Sequence, residues 1–206
     1  MVTSWLGPVF GIHELRAAVT DVLQAWLPVA LVDVARQTGV DETTVPFPRS
    51  WRRVASWDNV PEDQQPVVYV TSTGTVGENT RRSAGMTDAT WRLAVLSAVR
   101  GKDYDQTAER ASVYAAAIRA VLSQHRPDVE GLSQLKWVGE SYDVLSTASQ
   151  RTWAGALTEF DCQVDPSVRQ ASPPRPAPLA PPADPFDLPD GTVEASDVAA
   201  YIEVDR

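Results

Sequence analysis

The chain has 206 residues, 43% of them hydrophobic, and a formal net charge of −9. This length accommodates one domain of about 150 residues plus appendages, with enough apolar surface for a core. The charge is unevenly placed: from residue 184 onward seven acids and one arginine carry −6, which leaves −3 for the first 183 residues. A nearly balanced body argues against a general nucleic-acid binder, which needs a basic face.

Cys162 is the single cysteine, so neither an intramolecular disulfide nor a cysteine-based zinc site is expected. The first residues lack the basic start and apolar stretch of a signal peptide. Uninterrupted apolar runs are only a few residues long, and a bilayer span needs about 20. We therefore expect a soluble protein that is kept in a reducing cytoplasm, with no membrane partner.

The first predicted element is an amphipathic helix over residues 12–25. Its apolar stripe recurs at steps of three and four: Ile12, Leu15, Val19, Val22, Leu23 and Trp26. Pro28 is predicted to end or kink this helix, and 29–37 to form a short second helix that stops at Gly39. The stripe either packs on its own core or also borders a neighbouring subunit.

Residues 40–65 contain three prolines and little periodicity, which predicts a long connection. Trp51 and Trp57 either fold back onto the core or form a protein contact together with Arg52 and Arg53. Phosphate binding by these arginines is disfavoured in an acidic chain.

The run 67–70 is a strand by composition, and a polar loop from Thr71 to Gly85 is predicted to follow it. Glycines in this loop lack the lysine of a P-loop and the spacing of a dinucleotide fingerprint. The loop is interpreted as a flexible hairpin arm that carries Arg81 and Arg82 toward a partner.

A long helix from Asp103 to His125 lies among strands at 91–99, 135–144 and 153–164. Asp103 is a candidate cap, with Gln106 completing a capping box. The predicted buried face is Ala108, Ala111, Ala115, Ile118 and Leu122, flanked by Tyr114 and Val121. Both faces of the strand 91–99 are apolar, so we expect both to be covered, by helices or by another copy.

These elements predict an α+β fold: a mostly antiparallel sheet of about four strands, with an N-terminal helix and a long central helix packed on it. An extended Pro-rich C-terminal tail follows. The domain boundary is placed so that 1–165 form the folded domain and 166–206 the acidic tail. This tail is either disordered or a tether that delivers a short docking segment with Tyr201 and Ile202.

Candidate chemistry is sparse. His13 and His125 are far apart in sequence, and His125 suits the C-terminal end of a helix. Cys162 falls on the apolar side of its strand and is interpreted as a core residue. No nucleophile motif, carboxylate pair or metal-ligand spacing stands out, so we expect no enzyme, no catalytic residue, no metal and no cofactor.

In the order of its elements and the composition of its segments, the region 12–164 resembles the tail terminator (tail-completion) proteins of long-tailed bacteriophages, of the actinobacterial phage type. The resemblance is carried by the helix opening at 15–19, the strand 66–70, the strand-to-helix passage 99–105, the helix segment 114–122 and the strand 137–143. The proline-rich tail departs from the compact family pattern.

Membership would imply a virion structural protein of siphovirus type, located in the tail or neck and assembled in the host cytoplasm. It would form a hexameric ring at the head-proximal end of the tail tube, stop tube polymerisation and join the tail to the neck. Its partners would be further copies, the tail tube protein and a neck or head-tail connector protein. DNA would pass through the lumen of the ring without specific binding. The alternatives are another neck or tail-tube ring component, or a cytoplasmic adaptor acting through its Pro-rich tail.

Overall fold

The computed structural model describes residues 11–52, 64–81, 87–146 and 153–168. All of them belong to the first of two compact units, Met1–Ala171. The elements in chain order are helix α1 (Ile12–Thr38), a 3₁₀ turn (Glu42–Thr44), strands β1 (Ser50–Arg52), β2 (Val67–Thr75), β3 (Thr80–Arg81) and β4 (Thr87–Val99), helix α2 (Tyr104–Gln124), and strands β5 (Leu132–Ser146) and β6 (Trp153–Val168).

The strands form one six-stranded sheet. Five of them lie side by side in the order β1-β2-β4-β6-β5, and the sixth, β3, pairs only with β4. β1 runs parallel to β2, and the other pairings are antiparallel. The α+β class and the mostly antiparallel sheet are therefore confirmed. The two strands beyond the predicted four, β1 and β3, have three and two residues, too few to show a periodic pattern.

β4 lies at the centre and is buried on both faces, as its composition predicts. Leu93, Val95 and Val99 join the main core with the two helices. Leu96 and Ala98 join a second, smaller cluster with Val67 and Tyr69. Because side chains alternate along a strand, these two sets point to opposite faces of the sheet.

Helix α1 is continuous through Pro28, so the predicted end and second helix are wrong. A row of fully buried residues spaced by four runs along the whole helix: Leu15, Val19, Leu23, Leu27, Leu31 and Ala35. Proline inside a helix costs about 3 kcal/mol, whereas each buried leucine contributes roughly 1.5–3 kcal/mol. Packing on both sides of Pro28 outweighs the local defect. Gly39 ends the helix as predicted, at φ 78°.

By length and composition alone, α1 also qualifies as a membrane-crossing helix, with a mean hydropathy of 1.4. In the structure its apolar row packs into the main core. Trp26, predicted to lie on the buried stripe, is instead 46% exposed. It stacks flat on His125, with ring centroids 4.1 Å apart.

Helix α2 begins as its sequence indicates. The Asp103 carboxylate accepts a hydrogen bond from the Gln106 N–H at 2.8 Å. The Gln106 side chain accepts the Lys102 N–H rather than that of the cap residue, which is a shifted form of the predicted capping box. The predicted buried face is correct except for Ala108, which is exposed. Ala108 borders a surface groove beside the sheet and is not covered by it.

The predicted loop from Thr71 is partly wrong. Residues 71–75 continue β2, because the first part of the strand predicted at 91–99, Trp91 to Ala94, offers them pairing partners. The short strand β3 pairs with the first residues of β4, and residues 82–86 of the predicted hairpin arm, Arg82 among them, lie outside the described residues. At the other end of the domain, β6 extends to Val168, beyond the predicted limit at Asp165, and Val168 pairs with Thr87. Beyond Val168 the tail lies outside the described residues, so the domain boundary remains a prediction.

Candidate interaction surface

Strand β5 is the last strand in the sheet order, and within the described residues no further strand pairs with its outer side. Such an edge presents unpaired backbone N–H and C=O groups. The pairing register between β5 and β6 shifts between Leu132 and Gln134, between Trp137 and Gly139, and between Val144 and Ser146. Bulges of this kind twist an edge away from further strand addition. Side chains are therefore better placed than backbone groups to make contacts here.

Two large aromatic side chains stand at this edge: Trp137 is 43% exposed and Tyr142 is 53% exposed. The guanidinium of Arg119, on α2, lies 5.0 Å from the centre of the Trp137 ring. Arg119 also pairs with Glu140 at 2.8 Å, and the Tyr142 hydroxyl donates to the other Glu140 oxygen at 2.9 Å. This network holds both rings in fixed positions, which lowers the entropic cost of binding against them.

The Tyr142 hydroxyl is perturbed by this environment. Burial raises its pKa to about 12, and the hydrogen bond to the Glu140 carboxylate and its negative charge add to the rise. The positive charge of Arg119 opposes it. The hydroxyl therefore remains a hydrogen-bond donor throughout the physiological range.

A groove of about 350 Å³ lies between the first half of α2 and the edge of the sheet. Small side chains form its floor and two tyrosines form its sides; the lining residues are Tyr104, Thr107, Ala108, Ala111, Ser112, Tyr142, Asp143 and Ala154. Tyr104 is 58% exposed. Alanines at these positions leave space that a larger side chain would fill, so the groove is suited to accept an apolar group from a partner.

Another exposed aromatic residue, Phe47, lies far from the groove in sequence and is 52% exposed. It stands between Pro46 and Pro48, each of which restricts the backbone. The Pro46 carbonyl accepts a hydrogen bond of 2.5 Å from the hydroxyl of the buried Tyr114. Phe47 is thus a rigidly mounted apolar side chain on the surface.

The predicted contact residues are distributed as follows. Trp51 is half-buried and packs against the main core, and Arg52 donates to the Gln64 side chain at 2.7 Å. Arg81 lies in β3. Arg53, Trp57, Arg82, Tyr201 and Ile202 lie outside the described residues. The structure brings Trp51 and Arg52 together in β1, and the proposed contact roles of the whole set remain predictions.

Cys162 is fully buried in the main core, as predicted. Burial raises the pKa of its thiol to about 12. Burial likewise raises the pKa of the Tyr114 hydroxyl. Within the described part of the chain, no group of three or more His, Cys, Asp or Glu side chains is arranged to hold a metal ion.

Sequence reasoning missed Phe47, Tyr104, Trp137 and Tyr142 as surface candidates. The signal for Phe47 was an aromatic residue between two prolines in a connection. For β5, a bulge between Trp137 and Gly139 places Trp137, Glu140 and Tyr142 on one face, opposite Phe160, Thr158 and Ala156 of β6. No alternating pattern reveals a bulge in advance.

Comparisons with known proteins add little at the level of sequence. No family model matches the chain, and no curated protein matches it. Among solved structures, the fold is similar to that of a chain in the virion of a native gene transfer agent particle, with a TM-score of 0.41 and 14% identity over 73% of this chain and 93% of that chain. We draw no functional conclusion from a likeness of this degree.

Proposed function

We propose that this chain is a structural protein of a virion, which forms a ring at the head-proximal end of a phage tail tube, ends tube polymerisation and joins the tail to the neck. The observation that carries the proposal is the edge of the domain at β5. There, fixed and exposed aromatic side chains adjoin an apolar groove, a composition typical of protein contact surfaces.

The fold supports the same proposal. Two helices on one face of a mostly antiparallel sheet agree with what the resemblance to tail terminators implies. The groups whose pKa is most displaced, Tyr114 and Cys162, are core residues and not neighbours in a cleft. The proposal accordingly includes no catalytic activity.

The proposed partners are further copies of the chain in a ring of six, the tail tube protein and a neck or connector protein. The first 183 residues carry only −3, so a lumen built from this domain would hold DNA weakly. DNA is proposed to pass through the ring without specific binding, and the protein to be part of the virion.

The test is polymerisation of the tail tube protein from the same virus in the presence and absence of this chain. Tube lengths and tube ends are measured by negative-stain electron microscopy. We expect growth to stop when the chain is added and a ring of density to stand at one end of each tube. Unchanged lengths with bare ends would contradict the proposal.

The same experiment separates the alternatives. Rings that neither bind tube ends nor change tube length would identify another neck component. A monomeric chain that binds a partner only while residues 173–182 are present would identify an adaptor. Each of these results differs from capped tubes of limited length.

A further inference from the structure

We infer that Phe47 of one copy inserts into the groove beside β5 of a second copy, and that this contact closes copies of the chain into a ring. The inference deepens the proposed function and rests on it for its biological setting. The contact itself involves only residues on the surface of the domain.

Phe47 and the groove lie at opposite edges of the sheet. Phe47 comes three residues before Ser50, the first residue of β1, so it lies within about 11 Å of that edge strand. The groove is bordered by Tyr142 and Asp143 of β5, the other edge strand. Four inter-strand spacings of about 4.8 Å separate the two edges by about 19 Å.

A feature at one edge and its complement at the other make a heterologous contact, in which each copy uses both. Such contacts generate either closed rings or open helical filaments, and the outcome depends on the offset along the axis. A ring requires the two features to lie at the same level.

The register of the sheet places the start of β1 and the rim of the groove at one level. Ser50 pairs with Val67, Val67 with Ala98, Ala98 with Gly155, and Gly155 with Asp143, so that a single row of partners crosses all five strands. The row begins at Ser50, three residues after Phe47, and ends at Asp143 on the rim of the groove. Copies arranged side by side around an axis along the strands therefore bring the two edges of the sheet together at a similar height, which favours a ring over a filament.

The two features also match in character. The groove volume of about 350 Å³ accommodates an aromatic side chain, and its alanine floor leaves room for a ring. Arg49 lies two residues after Phe47, and Asp143 stands at the groove; both side chains are exposed, and among the described contacts neither makes an ion pair. An Arg49–Asp143 pair between copies would flank the inserted ring.

Other exposed large apolar residues of the described domain fit this role less well. Trp26 is already stacked on His125. Tyr104 and Tyr142 line the groove itself, and Trp137 and Val138 lie on β5, the strand that borders it. Val29, 56% exposed, is smaller than the groove and stands on α1 without a neighbouring arginine. Phe47 is the remaining one.

The first experiment measures self-association of the full chain by sedimentation velocity and native mass spectrometry, up to about 1 mM. We expect the wild type to self-associate and Phe47→Ala to weaken association by about 10-fold or more, as expected for a central aromatic anchor. Val29→Ala, at a similarly exposed position, is the matched control and should change nothing. A wild type that stays monomeric at every concentration, or a Phe47→Ala variant that associates normally, overturns the inference.

The second experiment uses complementary defects. Ala108→Trp fills the groove from an exposed position on α2, and Ser123→Trp, exposed near the other end of the same helix, is its control. At a concentration where the wild type assembles and Phe47→Ala does not, Ala108→Trp alone should also stay monomeric. Mixed, they retain one intact groove and one intact Phe47, so they should form a one-to-one dimer and nothing larger. Absence of that dimer overturns the heterologous geometry.

A charge exchange gives an independent readout. Arg49→Glu and Asp143→Arg should each weaken association, and the double variant should restore it. If the double variant does not regain association, the proposed Arg49–Asp143 pair is excluded. These measurements concern the isolated protein, whereas the proposed function is judged on tube ends. A chain that caps tubes but ignores these substitutions would refute the contact alone, and a chain that assembles as described without capping tubes would refute the function alone.

Discussion

At the scale of single residues, the burial of Cys162 has a direct chemical consequence. The thiolate is the reactive form of cysteine, and burial raises the pKa of this thiol to about 12. We expect the native protein to react with a thiol reagent at pH 8 about 100-fold more slowly, or slower still, than the protein unfolded in guanidinium. The measurement is the absorbance of released thionitrobenzoate over time.

Because the folded pKa of Cys162 lies above the unfolded value, its protonated form is favoured by folding. This contribution to stability is complete below about pH 8.5 and is lost as the pH rises toward 12. Native protein that reacts as fast as unfolded protein would contradict the burial of this side chain.

Tyr142 supplies a second residue-scale prediction. Its pKa of about 12 should appear as a component of the ultraviolet tyrosinate titration that is absent from Tyr142→Phe. Glu140→Gln removes the negative charge beside the hydroxyl and should lower the midpoint of that component. Stability linked to this group is present below about pH 10 and falls as the pH rises toward 12. An unchanged midpoint in Glu140→Gln would show that the carboxylate does not act on the hydroxyl.

At the scale of elements, Pro28 is the local defect of α1. It lacks the N–H that would complete the helical hydrogen bond, and its side chain is only half-buried. Pro28→Ala should raise the free energy of unfolding by about 1–3 kcal/mol, measured by urea denaturation. Leu27→Ala, one residue earlier at a fully buried position, should instead lower it by about 2–5 kcal/mol. A loss of stability in Pro28→Ala would mean that the core requires the bend imposed by proline.

The start of α2 offers a test of capping. Asp103→Ala removes the acceptor of the Gln106 N–H and should lower the free energy of unfolding by about 1 kcal/mol. Asp105→Ala, an exposed acid in the first turn, is the matched control and should cost roughly 0.3–1 kcal/mol through the helix dipole alone. Equal losses in the two variants would argue against a capping role for Asp103.

At the scale of the whole molecule, the end of β6 defines where the domain ought to be cut. A chain ending at Val168 keeps every described strand and should unfold in one transition at the temperature of the full chain. A chain ending at Gln163 loses the buried Val164 and the hydrogen bond from the Asp165 N–H to the Gly131 carbonyl. It should be less stable by roughly 1.5–3 kcal/mol. Calorimetry of the two truncations and the full chain distinguishes these outcomes. If the chain ending at Val168 unfolded at a lower temperature than the full chain, part of the domain would lie in the tail.

Elements whose signals are local could be predicted from the amino-acid sequence alone. The cap at Asp103, the helix stop at Gly39, the doubly apolar strand β4 and the core position of Cys162 follow from side-chain chemistry and short-range periodicity. The α+β class follows from the order of these elements. Each of them depends on residues that are near neighbours along the chain or share one face of one element.

The continuity of α1 and the nature of the surface depend on long-range packing and became visible in the folded domain. Pro28 remains helical because leucines on both sides of it are buried against the same core. The groove exists because α2 and β5 are brought together without covering Ala108, and bulges in β5 set which of its side chains face that groove. The common level of Ser50 and Asp143 depends on the pairing register of five strands. Registers and bulges are set by long-range packing, which leaves no pattern within a single segment of sequence.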